Sequence, residues 1–230
     1  MKPQLLRLGQ SASPVVIVDD CLAEPTAFVD AAAALAPLAP AASGYYPGLR
    51  RVFDERDQPA WDLTAALLRA AAPYVAGAFD CDGFRLTEAS FSMVTTAPEA
   101  LAPGQRHPHF DSVDPAVIAL IVYLFDAGPD DGTAFYSHDA TGTEVVTAAG
   151  VDRFVAAVRG EAGAMRGYFN PGTAGFTELG RVPARFGRVG IWPGNLLHSG
   201  LVPAEASFSA DPRQGRLTLN LFLKLERGPA

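Results

Sequence analysis

Apolar and polar positions alternate differently on the two sides of residue 84. Before it, "PVVIVDD" (14 to 20) is a short β-branched run that predicts a strand, and "AEPTAFVDAAAALA" (23 to 36) predicts a helix with proline near its start. "PLAPAASGYYPGLRR" (37 to 51) reads as a punctuated loop, and "PAWDLTAALLRAAAPYVAGAF" (59 to 79) returns to helical spacing despite Pro73. From residue 84 the runs "FRLTEASFSMVTT", "AVIALIVYLF", "GTAFYSH", "RVGIWPG", "NLLHSGL" and "RLTLNLFLKL" are rich in β-branched or aromatic residues and bounded by Gly, Pro or Asp, so they predict strands. A helical insert over 147–165 and a glycine-rich loop, "GYFNPGTAGF" (167 to 176), interrupt them. No internal repeat appears. The pattern predicts a mainly β fold with flanking helices, a jelly-roll or cupin-like sandwich. Residues 1–230 are expected to form one domain, with 1–83 supplying a strand and helices that support a core over 84–230.

Composition narrows the class. With 49% hydrophobic and 19% charged residues and a mean hydropathy of +0.13, the 230-residue chain has enough apolar surface for a substantial core. A net charge of −7 and no cationic run beyond Arg50 and Arg51 argue against nucleic acid as a partner. The longest apolar run, residues 116 to 125, falls well short of the roughly 20 residues a membrane-spanning helix needs. Arg7, Gly9 and Gln10 interrupt any signal-peptide core, so a cytoplasmic location and no membrane association are expected. Cys21 and Cys81 stand far apart and outside any C-x-x-C, which favours buried thiols over a disulfide or a thiolate zinc site.

The four histidines, His107, His109, His138 and His198, all fall in the β-rich half, at or beside predicted strand ends. In extended chain, side chains two apart share a face, so in "RHPHFDSVDP" His109 and Asp111 point together while Phe110 enters the opposite layer. His198, in "GNLLHSG", can supply a third ligand if its strand lies alongside. Two imidazoles and one carboxylate on one face of an octahedral ion leave three positions open, as in non-haem Fe(II) oxygenases. A closed structural zinc site needs a fourth ligand, for which only His107 or His138 is to hand. His107 also has same-face spacing with His109, but reads better as a supporting or surface residue. His138 is either substrate-facing or a satisfied strand-end histidine.

Further along, "GRLTLNLFLKL" places Arg216 and Thr218 on one strand face, a guanidinium and a hydroxyl that suit a carboxylate such as the distal one of 2-oxoglutarate. Arg213, in a loop-like stretch, competes for that anchoring role. Tyr123 offers a phenol from an otherwise apolar strand and needs a partner. Arg50, in "GYYPGLRR", and Arg106, beside the metal strand, are candidate substrate contacts; a solvated loop is the plainer reading of each. Trp192 reads as core.

The ordered set "HFD", "YLF", "DGTAFY", "WPGNLLHSG" and "RLT" resembles the Fe(II)/2-oxoglutarate-dependent dioxygenase superfamily, in particular its prolyl-hydroxylase-like members, over roughly residues 84 to 225. The resemblance implies a double-stranded β-helix in which His109, Asp111 and His198 hold Fe(II). Arg216 would bind the C5 carboxylate of 2-oxoglutarate, with Tyr123 and Thr218 assisting. It further implies use of O2, oxidative decarboxylation to succinate and CO2, and hydroxylation of a small molecule, amino acid or peptidyl side chain. Asp111 argues against halogenation, because halogenating relatives carry a small residue there. Two features depart from the pattern: the usual "GG" is Asp131-Gly132, and the spacing from His198 to Arg216 is longer than is common. The alternative is a cupin-like metal- or ligand-binding protein without turnover. A serine hydrolase is disfavoured, since no G-x-S-x-G occurs.

Overall fold

Leucines 217, 219, 221 and 223 are each 0% exposed, while Thr218, Asn220 and Phe222 between them are only partly covered. That strict period of two gives the last strand one face for a helical layer and one for a cavity. The structure is a computed structural model that describes residues 3–42, 45–161 and 165–228. In chain order its elements are β1 (Gln4–Leu8), β2 (Ser13–Val18), α1 (Pro25–Ala34), β3 (Ala39–Pro40), β4 (Gly48–Phe53), α2 (Ala60–Phe79) and β5 (Gly83–Val94). They continue as β6 (Val117–Tyr123), β7 (Gly132–His138), α3 (Val151–Glu161), β8 (Phe176–Pro183), β9 (Val189–Pro193), β10 (His198–Leu201) and β11 (Arg216–Glu226).

Eight strands form a large sheet in the order β1-β2-β9-β6-β11-β5-β4-β3, and three form a small one, β10-β7-β8. Every pairing between these strands is antiparallel. On the outer face of the large sheet, β5, β6 and β11 pack Phe91, Met93, Ile118, Leu120 and the four leucines against Phe28, Leu67, Ala71 and Val75 of α1 and α2. Each such aliphatic side chain contributes about 1.5–3 kcal/mol of burial. Between the sheets a second cluster joins Val15, Ile17, Tyr123 and Trp192 to Phe135 and Val182 of the small sheet. A third seals the small sheet's far side, where Tyr136 and Phe176 meet Phe154 of α3. This is the expected jelly-roll sandwich, carried between helices. Among the described residues no helix is long and apolar enough to cross a membrane.

The sheet begins earlier than residue 84. β1, β2 and β4 pair within the large sheet rather than only supporting it. β4, inside the expected 37–51 loop, is set by its neighbour: six residues pair with β5, and a Cβ at Gly48 would lie 2.0 Å from the Met93 carbonyl oxygen. β8 likewise follows directly on the glycine-rich loop, and the sequence reading had no strand there. The two long N-terminal helices form as expected, Pro73 included. Of the helical insert, 151–161 is helix, and residues 162–164, like Gly44 of the "GYYPGLRR" loop, lie outside the described residues.

Candidate metal centre and keto-acid pocket

His109 belongs to no regular strand, yet its backbone forms a two-bond antiparallel bridge with His198: its N–H donates to the His198 carbonyl at 2.8 Å and its carbonyl accepts from the His198 N–H at 2.9 Å. Asp111 continues that alignment by donating its N–H to the Gly194 carbonyl at 2.6 Å. The segment is locally extended, so His109 and Asp111 share a face, while Phe110 turns away to meet Phe154 edge-on at 6.2 Å. Two backbone ladders thus bring segments nearly ninety residues apart into register.

The side chains converge accordingly. One ligand atom each from His109, Asp111 and His198 lies within 4.8 Å of the others. The Asp111 carboxylate is 3.9 Å from His109 Nε2 and 3.7 Å from His198 Nε2. Among the described residues this is the one His/Cys/Asp/Glu group of three or more close enough to share an ion. His198 Nδ1 donates to the Leu196 carbonyl at 2.8 Å, which leaves Nε2 unprotonated in the neutral ring and aimed at the group.

Burial pushes His198 down to about 4. Burial, then the neighbouring His198, pushes His109 to about 4 as well. The burial argument is stronger for His198, whose side chain is 7% exposed, than for His109, at 57%. Burial raises Asp111 to about 6, against the opposing pull of His109 and Arg50. Neutral imidazoles beside a carboxylate form a donor set that suits a divalent ion with open positions.

Deeper between the sheets lie the residues proposed for the keto acid. Arg216 is 7% exposed; it donates to the Leu201 carbonyl at 2.8 Å and stacks 4.4 Å over the Phe125 ring. Its Nε has no partner despite being buried, which is the mark of a guanidinium awaiting an acceptor. Burial lowers it to about 10. Tyr123 shares a 2.8 Å hydrogen bond with Thr133 Oγ1, the partner its polar tip required. Thr218 sits opposite Tyr123 across β6 and β11 and accepts from Asn220 Nδ2 at 3.0 Å. Arg213 pairs instead with Asp30 at 2.5 Å on the surface, which removes it as the anchor.

Two expected substrate contacts do not reach this site. Arg106 is spent on backbone carbonyls, Leu101 and Met165, each at 3.1 Å. His138, 0% exposed, is held by Thr141 at 2.8 Å and Glu161 at 3.2 Å beneath α3, so it takes the satisfied strand-end role. Arg50 does lie near the centre, since its charge acts on Asp111.

Sequence reasoning missed three residues. Tyr46, pushed up to about 12 by burial, lies close enough to Thr218, Ser92 and Arg216 to be influenced by each; it hides in a loop whose turn residues give no strand register. Asp131, 5% exposed, forms an ion pair with Arg216 and accepts from the Gly128 N–H at 2.7 Å. It was visible only as the irregular "DG", whose glycine is required because a Cβ at Gly132 would meet the Val182 carbonyl oxygen at 2.3 Å. Glu88 was foreshadowed by the polar alternation Glu88, Ser90, Ser92 on β5, opposite the buried Ala89, Phe91 and Met93.

A family model described as "Family of unknown function (DUF6445)" matches residues 1–223. The chain belongs to that family. No curated protein matches the sequence. Among solved structures, AviO1 from Streptomyces viridochromogenes Tue57 is 19% identical with a TM-score of 0.56, covering 94% of this chain and 91% of its own. The non-haem α-ketoglutarate-dependent carbocyclase SnoK from nogalamycin biosynthesis is 17% identical, with a TM-score of 0.55 over 93% and 82%. HygX from Streptomyces hygroscopicus, solved with nickel and 2-oxoglutarate bound, is 15% identical, with a TM-score of 0.54 over 92% and 82%. At such identities the similarity is one of fold.

Proposed function

We propose that this chain is an Fe(II)- and 2-oxoglutarate-dependent oxygenase that hydroxylates a small molecule, amino acid or peptidyl side chain. The observation that carries the reading is the convergence of His109, Asp111 and His198 on one point, with the buried, under-satisfied Arg216 on the same inner surface. His109, Asp111 and His198 would hold Fe(II). Arg216 would take the distal carboxylate of the keto acid by charge-assisted hydrogen bonds, with Tyr46, Tyr123 and Thr218 lining its pocket. When bound, the iron and keto acid supply the activation of O2, with the balance R–H + 2-oxoglutarate + O2 giving R–OH, succinate and CO2. The chain's own contribution is positional. His198 keeps its metal-facing nitrogen free through Leu196, and the apolar ring of Phe135, Trp192 and Phe125 excludes water from the inner end.

The fold also hosts an epimerase and a carbocyclase, SnoN and SnoK, so hydroxylation is proposed as the default outcome of the resembled superfamily, with Asp111 arguing against halogenation. The Asp131–Arg216 pair favours a second reading, a metal-binding protein without turnover, because an internal carboxylate already occupies part of the anchor. One measurement separates them. Anaerobic loading with Fe(II) and 2-oxoglutarate should give the weak visible charge-transfer band of a chelated keto acid, and His109→Ala should abolish it. Bound iron without that band would leave only the second reading.

A further inference from the structure

The inner face of β11 carries the even-numbered residues, Arg216, Thr218, Asn220, Phe222 and Lys224, whose odd neighbours are buried against the helices. At about 3.3 Å of rise per residue, Phe222 lies about 20 Å along the strand from Arg216. Register then fixes what stands beside it. Phe222 pairs with Glu88 on β5 and with Ala119 on β6, and Ala119 pairs with Trp192 on β9, two residues before the Gly194 whose carbonyl holds the Asp111 N–H. Phe222 therefore stands close to the backbone row that holds Asp111.

At that level sits a charge pair that neither the metal nor the keto acid uses. Arg50, from β4, forms an ion pair with Glu88, donates from Nε to Ser90 Oγ at 3.0 Å, and lies 5.8 Å over the Phe222 ring. Arg50 and Glu88 keep 25% and 37% of their side chains open to solvent, so an incoming molecule can reach both. The three-stranded sheet pairs β10, β7 and β8 only, and the core cluster it shares with the large sheet draws on β1, β2, β6, β9 and, through Phe222, β11, but on no residue of β4 or β5.

We propose that Arg50 and Glu88 form the substrate's recognition pair and that the substrate is a free amino acid, held as its zwitterion with the side chain extended toward the metal ligands. This rests on the oxygenase reading and goes beyond it in naming the substrate class. Charge balance selects the zwitterion. A simple anion on Arg50 would strand Glu88 in a half-buried cleft, and a simple cation on Glu88 would strand Arg50. An α-carboxylate on Arg50 and an α-ammonium on Glu88 exchange one pair for two and leave no charge unmatched. A half-exposed pair is weakly held, so its opening is a small penalty. Phe222, partly covered beneath Arg50, supplies the apolar floor expected of a small-molecule site.

The test uses the Fe(II)- and 2-oxoglutarate-loaded protein and a panel of the free L-amino acids with their N-acetyl and C-amide derivatives. Succinate formation and anaerobic calorimetric binding are the two readouts. At least one free amino acid should bind and stimulate succinate formation tenfold or more, and either blocked derivative should lose at least tenfold in affinity. Glu88→Gln should abolish discrimination against the N-acetyl form while keeping that against the amide; Arg50→Gln should do the reverse. That crossed pattern is one a merely structural ion pair would not give. The proposal is overturned by no response to any amino acid, by equal binding of blocked and free forms, or by variants that keep both discriminations. Loss of the keto-acid charge-transfer band in the wild-type protein would instead sink the oxygenase reading, so the two failures are distinguishable.

Discussion

On the proposed reading, a single carboxylate decides how readily Arg216 can take the keto acid. Asp131 stands against Arg216 where the superfamily pattern has glycine, and both groups are more than nine-tenths buried. Removing one partner of such a pair leaves an uncompensated charge, typically about 3–5 kcal/mol in cost, so Arg216→Ala is expected to destabilise the fold as well as the pocket. Asp131→Asn also leaves a charge uncompensated, that of Arg216, but it keeps the side-chain shape, and its amide oxygen can still accept from the Gly128 N–H. With one competing carboxylate gone, the variant should bind 2-oxoglutarate several-fold more tightly in anaerobic titration. Weaker binding would mean that Asp131 orients Arg216 instead of competing for it. The "DG" irregularity was legible in the chain; its buried partner was not, because ion pairs between remote segments leave no local signal.

Among the elements, the two sheets are clamped by Asp19, the residue after β2. Its carboxylate takes a fork from Arg188, Nε at 2.7 Å and Nη2 at 3.0 Å, with Arg185 at 3.5 Å; Arg188 also donates to the Pro183 carbonyl at the end of β8 at 2.9 Å. The large sheet is thus tied to the small one at the end where Arg216 lies. The Arg188 hydrogen bond, opposed by burial and aided by the charges of Arg188 and Arg185, holds Asp19 below the usual carboxylate range. A folded-state value below the unfolded one stabilises above about pH 4 and is lost as the pH falls through the folded value. Asp19→Asn should therefore lower stability at pH 7 by about 2 kcal/mol and flatten the acid limb. In urea melts the gap from wild type should narrow steadily below about pH 4; a gap that stays constant would rule out the linkage. Elements with their own periodicity, α1, α2, β5 and β11, were readable in advance. β4 and β8 were not, since their strand character comes from the neighbours they pair with.

At the scale of the whole molecule, what the sequence could announce was the order of the ligand motifs, and what it could not was their spacing in the folded chain. His109, Asp111 and His198 converge within 4.8 Å, while Tyr123 and Thr218 pair across β6 and β11, two residues from Arg216. Tyr46 and Glu88 come to the same sheet only because β4 and β5 extend it beyond β11. Arg106, in the 3-10 turn Pro103–Arg106, is held by backbone carbonyls, and His138 is buried against Thr141 and Glu161 beneath α3.

The paired backbone bonds between residues 109 and 198 bear on how this protein can be handled by a cell. Metal-dependent domains whose ligands meet only around the ion unfold when it is taken away. Here main-chain amides keep the cage assembled by themselves. Treatment with a chelator should leave the thermal transition cooperative, and titrating Fe(II) or Mn(II) back should raise the midpoint gradually with the logarithm of its concentration, as simple mass action requires. On the proposed reading, such a chain would stay folded when its ion is withdrawn and could take one up again without synthesis of a new copy.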